Sequence, residues 1–257
     1  MQFISILVLA VLQGITEFLP VSSSGHLVVA AHLFGLQESS NDINIVLHIG
    51  TLASILVFYR RQIWRLLAED RRAIPLLVVG SIPAAAIGFV IKIKYENLLN
   101  SLPLAGAMFP MTGLVLLGLA SKREDGKTAY SEMTFLTAFC IGIFQAVALL
   151  PGLSRSGLTI SGALFCGLKR ESAATFSFLL AIPAILGASL LEAIKLYKQP
   201  PTNIDFVSLG IGAVVAFIVG YISLALLVKL VGGGKLYWFA AWLIPLGIGV
   251  IIWWLLS

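Results

Sequence analysis

Six uninterrupted apolar stretches, each long enough to cross the hydrocarbon core of a bilayer, constrain this chain more than any other feature. They run over about 43–59, 73–91, 102–120, 172–191, 204–228 and 236–256. Only 11% of the 257 residues are charged, whereas a soluble domain carries roughly 25%. The sequence therefore predicts an all-α integral membrane protein with a single membrane domain over 1–257.

Two further apolar regions, about 1–36 and 133–168, are interrupted in the middle by prolines, glycines and serines. The interruptions are the runs Pro20–His26 and Pro151–Gly157, whose composition ends helices. Each region is too short for two spans joined outside the membrane, and its centre is too polar for one lipid-facing helix. We therefore predict a re-entrant helix–loop–helix hairpin in each region, with its loop at membrane depth.

The two interrupted regions match each other at an offset of 132 residues. The matching pairs are Gln13 and Gln145, Ser22 and Ser154, Ser24 and Ser156, Gly25 and Gly157, Gly35 and Gly167, Leu36 and Leu168, and Ser40 and Ser172. The first repeat covers 1–120 and the second 133–257, each consisting of a hairpin and three spans. An odd number of crossings inverts the second repeat, so we expect inverted-topology repeats whose hairpin tips meet near the membrane midplane.

The basic residues predict the orientation of these repeats. On this topology twelve of the seventeen lie on one side, in loops 60–72, 122–127, 169–170 and 229–235, and four lie on the other side. The positive-inside rule makes the twelve-charge side cytoplasmic, so the first hairpin opens outward. Insertion topology also explains the net charge of +5, and no nucleic-acid partner is predicted. The N-terminus lacks a basic region and a cleavage site, so we expect mature protein there.

Ionisable side chains at membrane depth are costly, so those that occur are candidates for function. Arg155 is the most informative, because its guanidinium is a permanent cation whose fork of donors matches phosphate oxygens. Its neighbours Ser154, Ser156 and Gly157 add hydroxyls and an unobstructed backbone, and we expect a helix to begin near Leu158. This pattern favours a phosphate cradle, and a purely structural ion pair is the alternative.

Glu17 lies one helical turn after Gln13, so both side chains project from one helix face. A carboxylate and a carboxamide oxygen in this arrangement suit a hard divalent cation that keeps most of its waters and bridges to substrate phosphate. The alternatives for Glu17 are pairing with Arg155, orienting an imidazole, acting as a base, or a helix-packing hydrogen bond. His32 and His48 lie in apolar runs without evident partners, and we expect structural roles for both.

Three serines precede His26 in one tight turn: Ser22, Ser23 and Ser24. A hydroxyl in this turn lies within reach of an imidazole that accepts its proton. Serines before a helix are also ordinary N-caps, and we expect capping by at least one of the three. Ser22 and Ser24 are further candidates for contact with a substrate phosphate.

The run Gln13–His26, which reads QGITEFLPVSSSGH, and the run Pro151–Gly157, which reads PGLSRSG, resemble the undecaprenyl-diphosphatase family, also called bacitracin resistance proteins. Two long motifs in this order and at this separation are a specific signal. The segments His48–Thr51, Thr159–Gly162 and Phe176–Leu180 extend the likeness over essentially the whole chain.

The resemblance implies an enzyme of the bacterial plasma membrane that removes one phosphate from undecaprenyl diphosphate, which recycles the lipid carrier for peptidoglycan and other envelope polymers. It further implies an outward-facing active site, dependence on Mg²⁺ or Ca²⁺, and competition by bacitracin for the substrate, and it is compatible with a homodimer. By motif position it assigns functional roles to Glu17, Ser23, His26 and Arg155. It places Gln13 where the family has Glu or Gln.

The candidate residues and the family resemblance together favour one hypothesis over two alternatives. Arg155 and a divalent ion gather charge on the terminal phosphoryl group, and Ser23 or a water attacks in line. His26, oriented by Glu17, transfers the proton. A lipid or ion transporter, such as a polyprenyl-phosphate flippase, would use the same inverted repeats but does not need a serine and a histidine beside a carboxylate. A structural scaffold does not explain why costly polar residues occur in both repeats.

Overall fold

The computed structural model describes residues 2–34, 41–68, 71–119, 126–198 and 205–256. Within these ranges the chain is helical apart from turns and one isolated backbone bridge between Thr128 and Leu168. The α-helices are α1 Gln2–Phe18, α2 Ser23–Phe34, α3 Asn41–Phe58, α4 Arg60–Ala68, α5 Ala73–Lys94, α6 Leu102–Gly118, α7 Phe135–Val147, α8 Arg155–Phe165, α9 Arg170–Lys198, α10 Phe206–Gly232 and α11 Ala240–Leu256. Short 3₁₀ helices cover Glu96–Asn100, Tyr130–Glu132 and Leu236–Phe239. Gly35, Leu36 and Ser40, which belong to the internal match, and residues 122–125 of the basic loop 122–127 lie outside the described residues.

Helix length and composition confirm a multi-pass membrane protein. In the described part of the chain, four helical segments are long and apolar enough to cross a bilayer: Ala73–Lys94, Arg170–Leu191, Phe206–Gly232 and Leu236–Leu256. A fifth candidate joins α3 and α4 into one segment that bends by 69°. The apolar stretch at 102–120 forms α6, which at 17 residues is shorter than these.

The basic segment after α3 is helical, where the sequence analysis expected a loop. Arg60 begins α4, and the sharp bend places this helix at an angle to α3. Leu66 is buried against the core, whereas Trp64 is exposed. Apolar residues at helical spacing, with arginines between them, explain why this loop folds as an amphipathic helix.

Both interrupted regions break where the sequence predicts. The first break separates α1 from α2, and the second separates α7 from α8. The expected start of α8 near Leu158 was wrong, because the helix begins three residues earlier, at Arg155. The reason is capping: the Ser154 hydroxyl accepts a hydrogen bond from the Gly157 amide at 3.1 Å and opens the helix there.

The main helix pairs follow the internal match: when both helices of a pair are replaced by their counterparts at the 132-residue offset, the result is again a packed pair. α1 packs along α10, and its counterpart α7 packs along α5, the counterpart of α10. α6 packs on its own counterpart α11, and α3 packs on α9. The approach is close because small residues lie between the helices: a Cβ at Gly142 of α7 would be 2.2 Å from the Gly80 carbonyl oxygen of α5.

Candidate active site

The two helix breaks contact each other inside the bundle. The Gly152 amide of the second break donates to the Ser22 hydroxyl of the first at 3.1 Å. A Cβ at Gly25 would lie 2.8 Å from the Gly152 Cα, so only a glycine at position 25 permits this approach. The breaks therefore bring the N-termini of α2 and α8 to one place.

Ser22 and Ser154 cap these two helices in the same way. The Ser22 hydroxyl accepts from the Gly25 amide at 3.3 Å, just as Ser154 accepts from Gly157. Ser22 adopts a positive φ of 69°, a conformation that side chains rarely tolerate. Capping by at least one serine of the first break was thus a correct expectation.

Most groups of the predicted phosphate cradle form internal hydrogen bonds in the structure. Ser22, Ser154 and Ser156 are each at most 2% exposed. The Ser156 hydroxyl contacts that of Ser154 at 3.2 Å and donates to the Leu19 carbonyl at 3.4 Å. The Gly157 amide is the donor of the cap. These groups hold the two breaks together, so their polar atoms face protein. Ser24 is exposed.

Thr112 of α6 supports the second break, and the sequence analysis did not identify it. Its hydroxyl donates to the Gly152 carbonyl at 3.0 Å and accepts from the Ser154 amide at 3.1 Å. The side chain is fully buried. A threonine inside an apolar stretch, one residue before a glycine, was the available signal, but it does not reveal a partner 40 residues away.

Glu17 is the centre of the candidate site. The first residue of α2, Ser23, donates its hydroxyl hydrogen to Glu17 Oε2 at 2.8 Å. The first residue of α8, Arg155, donates from Nη2 to Glu17 Oε1 and forms an ion pair with it. Glu17 is 7% exposed. The first residues of α2 and α8 thus both bond to one buried carboxylate.

Gln13 completes the polar cluster from α1. Its Nε2 donates to Glu17 Oε2 at 3.0 Å, as the one-turn spacing predicts. Two buried polar atoms here have no hydrogen-bond partner among the described residues: Gln13 Oε1 and Arg155 Nη1. Buried polar atoms are normally paired, so these two atoms mark where a ligand would be received.

His48 reaches the site, although a structural role was expected for it. Its Nε2 is 3.9 Å from Glu17 Oε2, and its Nδ1 lies 2.7 Å from the Asn44 carbonyl oxygen. The sequence does not display this contact, because it arises only when α3 carries the side chain across to α1. His32 makes a similar bond to its own helix, at 2.9 Å from the Val28 carbonyl oxygen.

His26 forms no hydrogen bond with Ser23 or Glu17, contrary to the sequence hypothesis. Its Nε2 accepts a hydrogen bond from the Trp242 indole N–H at 3.1 Å. Because an indole can only donate, Nδ1 carries the hydrogen and donates to the Ser22 carbonyl at 2.9 Å. Both imidazole nitrogens are therefore engaged, and the hydroxyl of Ser23 is bonded to the carboxylate instead.

Comparison with known proteins identifies the family. The sequence model of the family described as bacitracin resistance protein BacA matches residues 6–249. The chain belongs to this family. It is similar to the undecaprenyl-diphosphatase of Rhodopirellula baltica, with 46% identity over 252 residues and 98% of each chain covered. It is also similar to the undecaprenyl-diphosphatases of Desulfosudis oleivorans, at 42% identity with 98% of each chain covered, and of Carboxydothermus hydrogenoformans, at 41% with 96% of this chain and 95% of the relative covered.

The metal expected for a BacA family member can be tested against the donor set. In the described ranges no three His, Cys, Asp or Glu side chains group to hold an ion. Glu17 already accepts bonds on both oxygens. The buried, unpartnered Gln13 Oε1 beside it is an oxygen of the type that hard divalent cations bind. The residues present fit a cation that is completed by ligands from the substrate.

Proposed function

We propose that this BacA family protein hydrolyses undecaprenyl diphosphate to undecaprenyl phosphate and inorganic phosphate. The observation that carries the proposal is a serine hydroxyl 2.8 Å from a buried carboxylate, beside an arginine with an unpartnered Nη1. Nucleophile, proton acceptor and phosphate-binding cation are the parts that phosphoryl transfer requires. The relatives' names identify the substrate.

Ser23 is the nucleophile in the mechanism we propose. As its Oγ bonds to the terminal phosphorus, its proton passes to Glu17 Oε2, and the bond between phosphorus and the bridging oxygen breaks. Undecaprenyl phosphate leaves with the electron pair of that bond. A water then attacks the phosphoserine, inorganic phosphate departs, and the proton on Glu17 returns to the Ser23 oxygen.

Arg155 has two successive partners in this scheme. In the structure its Nη2 is bonded to Glu17 and its Nη1 has no partner among the described residues. The guanidinium fork can bind two phosphate oxygens at once, so an entering diphosphate competes with the carboxylate for it. Charge developing on the transferring phosphoryl group is then stabilised by a cation that the fold has already positioned.

His26 is assigned to positioning rather than to proton transfer. Its Nδ1–H bonds to the Ser22 carbonyl, and its ring lies edge-on to Phe109 at a centroid distance of 5.1 Å. Ser22 immediately precedes the nucleophile, so the imidazole fixes the backbone that presents Ser23. Trp242 holds the other nitrogen.

A divalent cation, Mg²⁺ or Ca²⁺, is proposed as the cofactor, held by Glu17 and Gln13 Oε1. It would neutralise phosphate charge when bound. The neutral carboxamide contributes no charge, so the substrate's own oxygens are needed to complete the ion's coordination. This is why we expect the metal and the diphosphate to bind together.

The proposed architecture has six spans, two re-entrant hairpins and inverted repeats, with the active site open to the outside of the bacterial plasma membrane. The packing of α1 on α10 and of α7 on α5 supports the repeats. The orientation is supported by contacts between three of the basic loops that are predicted to lie on the cytoplasmic side. The Lys169 amide donates to the Thr128 carbonyl, next to loop 122–127, at 3.0 Å. A Cβ at Gly234, in loop 229–235, would be 3.0 Å from Arg170 Nη2.

The transporter alternative receives no support from the comparisons, because the relatives are named as phosphatases. Two further features are proposed from the family. Bacitracin, which gives the family its description, competes for the lipid diphosphate. A homodimer, with which the family resemblance is compatible, is the proposed assembly.

The proposal is tested by phosphate release from a C55 polyprenyl diphosphate, using the purified protein in detergent. We expect release with Mg²⁺ or Ca²⁺ and its loss with excess EDTA. Glu17→Gln should abolish release, while His32→Gln, which alters a histidine bonded to its own helix, should retain it. An inactive wild-type protein, or full activity in Glu17→Gln, would contradict the proposal.

A further inference from the structure

His48 differs from the other two histidines in having its second imidazole nitrogen close to Glu17. Its Nδ1 lies 2.7 Å from the Asn44 carbonyl oxygen, which can only accept, so Nδ1 carries a hydrogen. In the neutral imidazole the lone pair is then on Nε2, the atom 3.9 Å from Glu17 Oε2. Histidines that bind metals usually have their other ring nitrogen fixed in this way. His26 and His32 make the same backbone bond, so the position of Nε2 beside the carboxylate is what distinguishes His48.

The separation between His48 and Glu17 suits a shared ion better than a direct bond. At 3.9 Å the two atoms are beyond hydrogen-bond distance. Two ligands that each lie about 2.0–2.2 Å from one cation are separated by about 3–4.3 Å, depending on the angle at the metal. The observed distance falls within this range.

Gln13 supplies an independent observation at the same point. Its side chain is fully buried, its Nε2 is bonded to Glu17 Oε2, and its Oε1 has no partner in the described part of the chain. Turning the amide by half a rotation exchanges these two atoms and directs the oxygen to the carboxylate side. A cation there would satisfy an oxygen that is otherwise left without a partner.

We propose that His48 Nε2 is a third protein ligand of the divalent cation, together with Glu17 and Gln13 Oε1. The inference rests on the proposed function for the substrate, whose phosphate oxygens complete the coordination, but it adds a ligand that the motifs do not assign. An imidazole nitrogen favours a first-row transition ion over Mg²⁺, so the site binds Mn²⁺ more tightly than Mg²⁺.

The test is pulsed electron paramagnetic resonance of Mn²⁺ bound to the intact protein in detergent with methylenediphosphonate, a diphosphate that cannot be hydrolysed. A directly coordinated imidazole gives ¹⁴N modulation of the Mn²⁺ echo. The chain has three histidines, so substitution of each in turn identifies the source. We expect modulation in the wild type, His26→Gln and His32→Gln, and its loss in His48→Gln, with Mn²⁺ affinity reduced about 10-fold or more.

The wild-type protein alone can overturn the proposal, even if His48→Gln does not fold. His48 is excluded as a ligand if the wild type binds Mn²⁺ without ¹⁴N modulation, or if it binds no Mn²⁺ in the presence of the diphosphonate. Modulation that persists in His48→Gln excludes it as well. Phosphate release by the wild type with Mg²⁺ is measured on the same preparation. Release without modulation rejects the His48 ligand and keeps the proposed function, whereas loss of release rejects the function itself.

Discussion

Ser23 and Arg155 occupy the same position, the first residue of a helix, in two repeats 132 residues apart, and they bond to opposite oxygens of Glu17. The same break between two helices therefore occurs twice. The helix after the first break begins with a hydroxyl side chain, and the helix after the second begins with a guanidinium. Leu149 stands where the second repeat would match Glu17. Because only one repeat has a carboxylate at this position, the pair forms one candidate site rather than two.

Arg155→Lys is expected to reduce turnover by about 10²- to 10³-fold, because a point charge does not reproduce the bidentate fork. The measurement is kcat for phosphate release from the C55 diphosphate. Arg60→Lys, at an exposed position where the guanidinium bonds the Val57 carbonyl, is the control and should keep normal turnover. Near-normal turnover in folded Arg155→Lys protein would reduce Arg155 to a structural ion-pair partner.

Ser23→Ala is expected to abolish turnover while substrate binding persists, since we propose the hydroxyl bonded to Glu17 as the attacking group. Ser24→Ala, at the exposed neighbouring serine, should have little effect. The Ser23→Ala, Glu17→Gln double variant should lose no more than either single variant, because the two residues act as a unit. Rapid quench with terminally labelled diphosphate should trap phosphoserine at Ser23. Metal-dependent release by Ser23→Ala would instead indicate direct attack by water.

Gly25→Ala tests whether the contact between the two breaks holds the site together. The added methyl would lie 2.7 Å from Phe109 Cζ and 2.8 Å from the Gly152 Cα, so the backbone must move. We expect a loss of about 1–3 kcal/mol in stability, together with reduced turnover. Gly187→Ala, where nothing lies within 4 Å, is the matched control. Equal melting temperatures of the two variants in detergent would show that the breaks do not need this approach.

The orientation is tested with single cysteines in a chain whose native Cys140 and Cys166 are replaced by alanine. Tyr95→Cys, after α5, should react with a membrane-impermeant thiol reagent added to intact cells. Arg71→Cys, before α5, should react only after lysis. Both positions are exposed, so accessibility reports the side of the membrane. The reverse labelling pattern would invert the proposed topology.

The features that were predicted correctly are those that depend on local backbone geometry. Helix breaks at Pro20–His26 and Pro151–Gly157 were predictable because proline, glycine and serine act through local backbone geometry. The bond between Gln13 and Glu17 was predictable because helical spacing fixes it. The role of Ser154 as a cap was missed, and α8 was started too late, because Ser154 was interpreted as a phosphate ligand.

The sequence by itself determined the membrane-spanning helical class, the two breaks, the internal match at 132 residues and the candidates Glu17, Ser23 and Arg155. Most of these follow from composition, periodicity and residue chemistry, which act over a few residues, whereas the choice of Ser23 among the three serines follows from the family resemblance. Only the tertiary structure decided which groups meet. His48 rather than His26 lies beside Glu17, and His26 bonds to Trp242 instead. Thr112 bonds to the backbone of the second break. Such contacts join helices far apart in the chain, and they depend on how whole helices pack rather than on any local pattern.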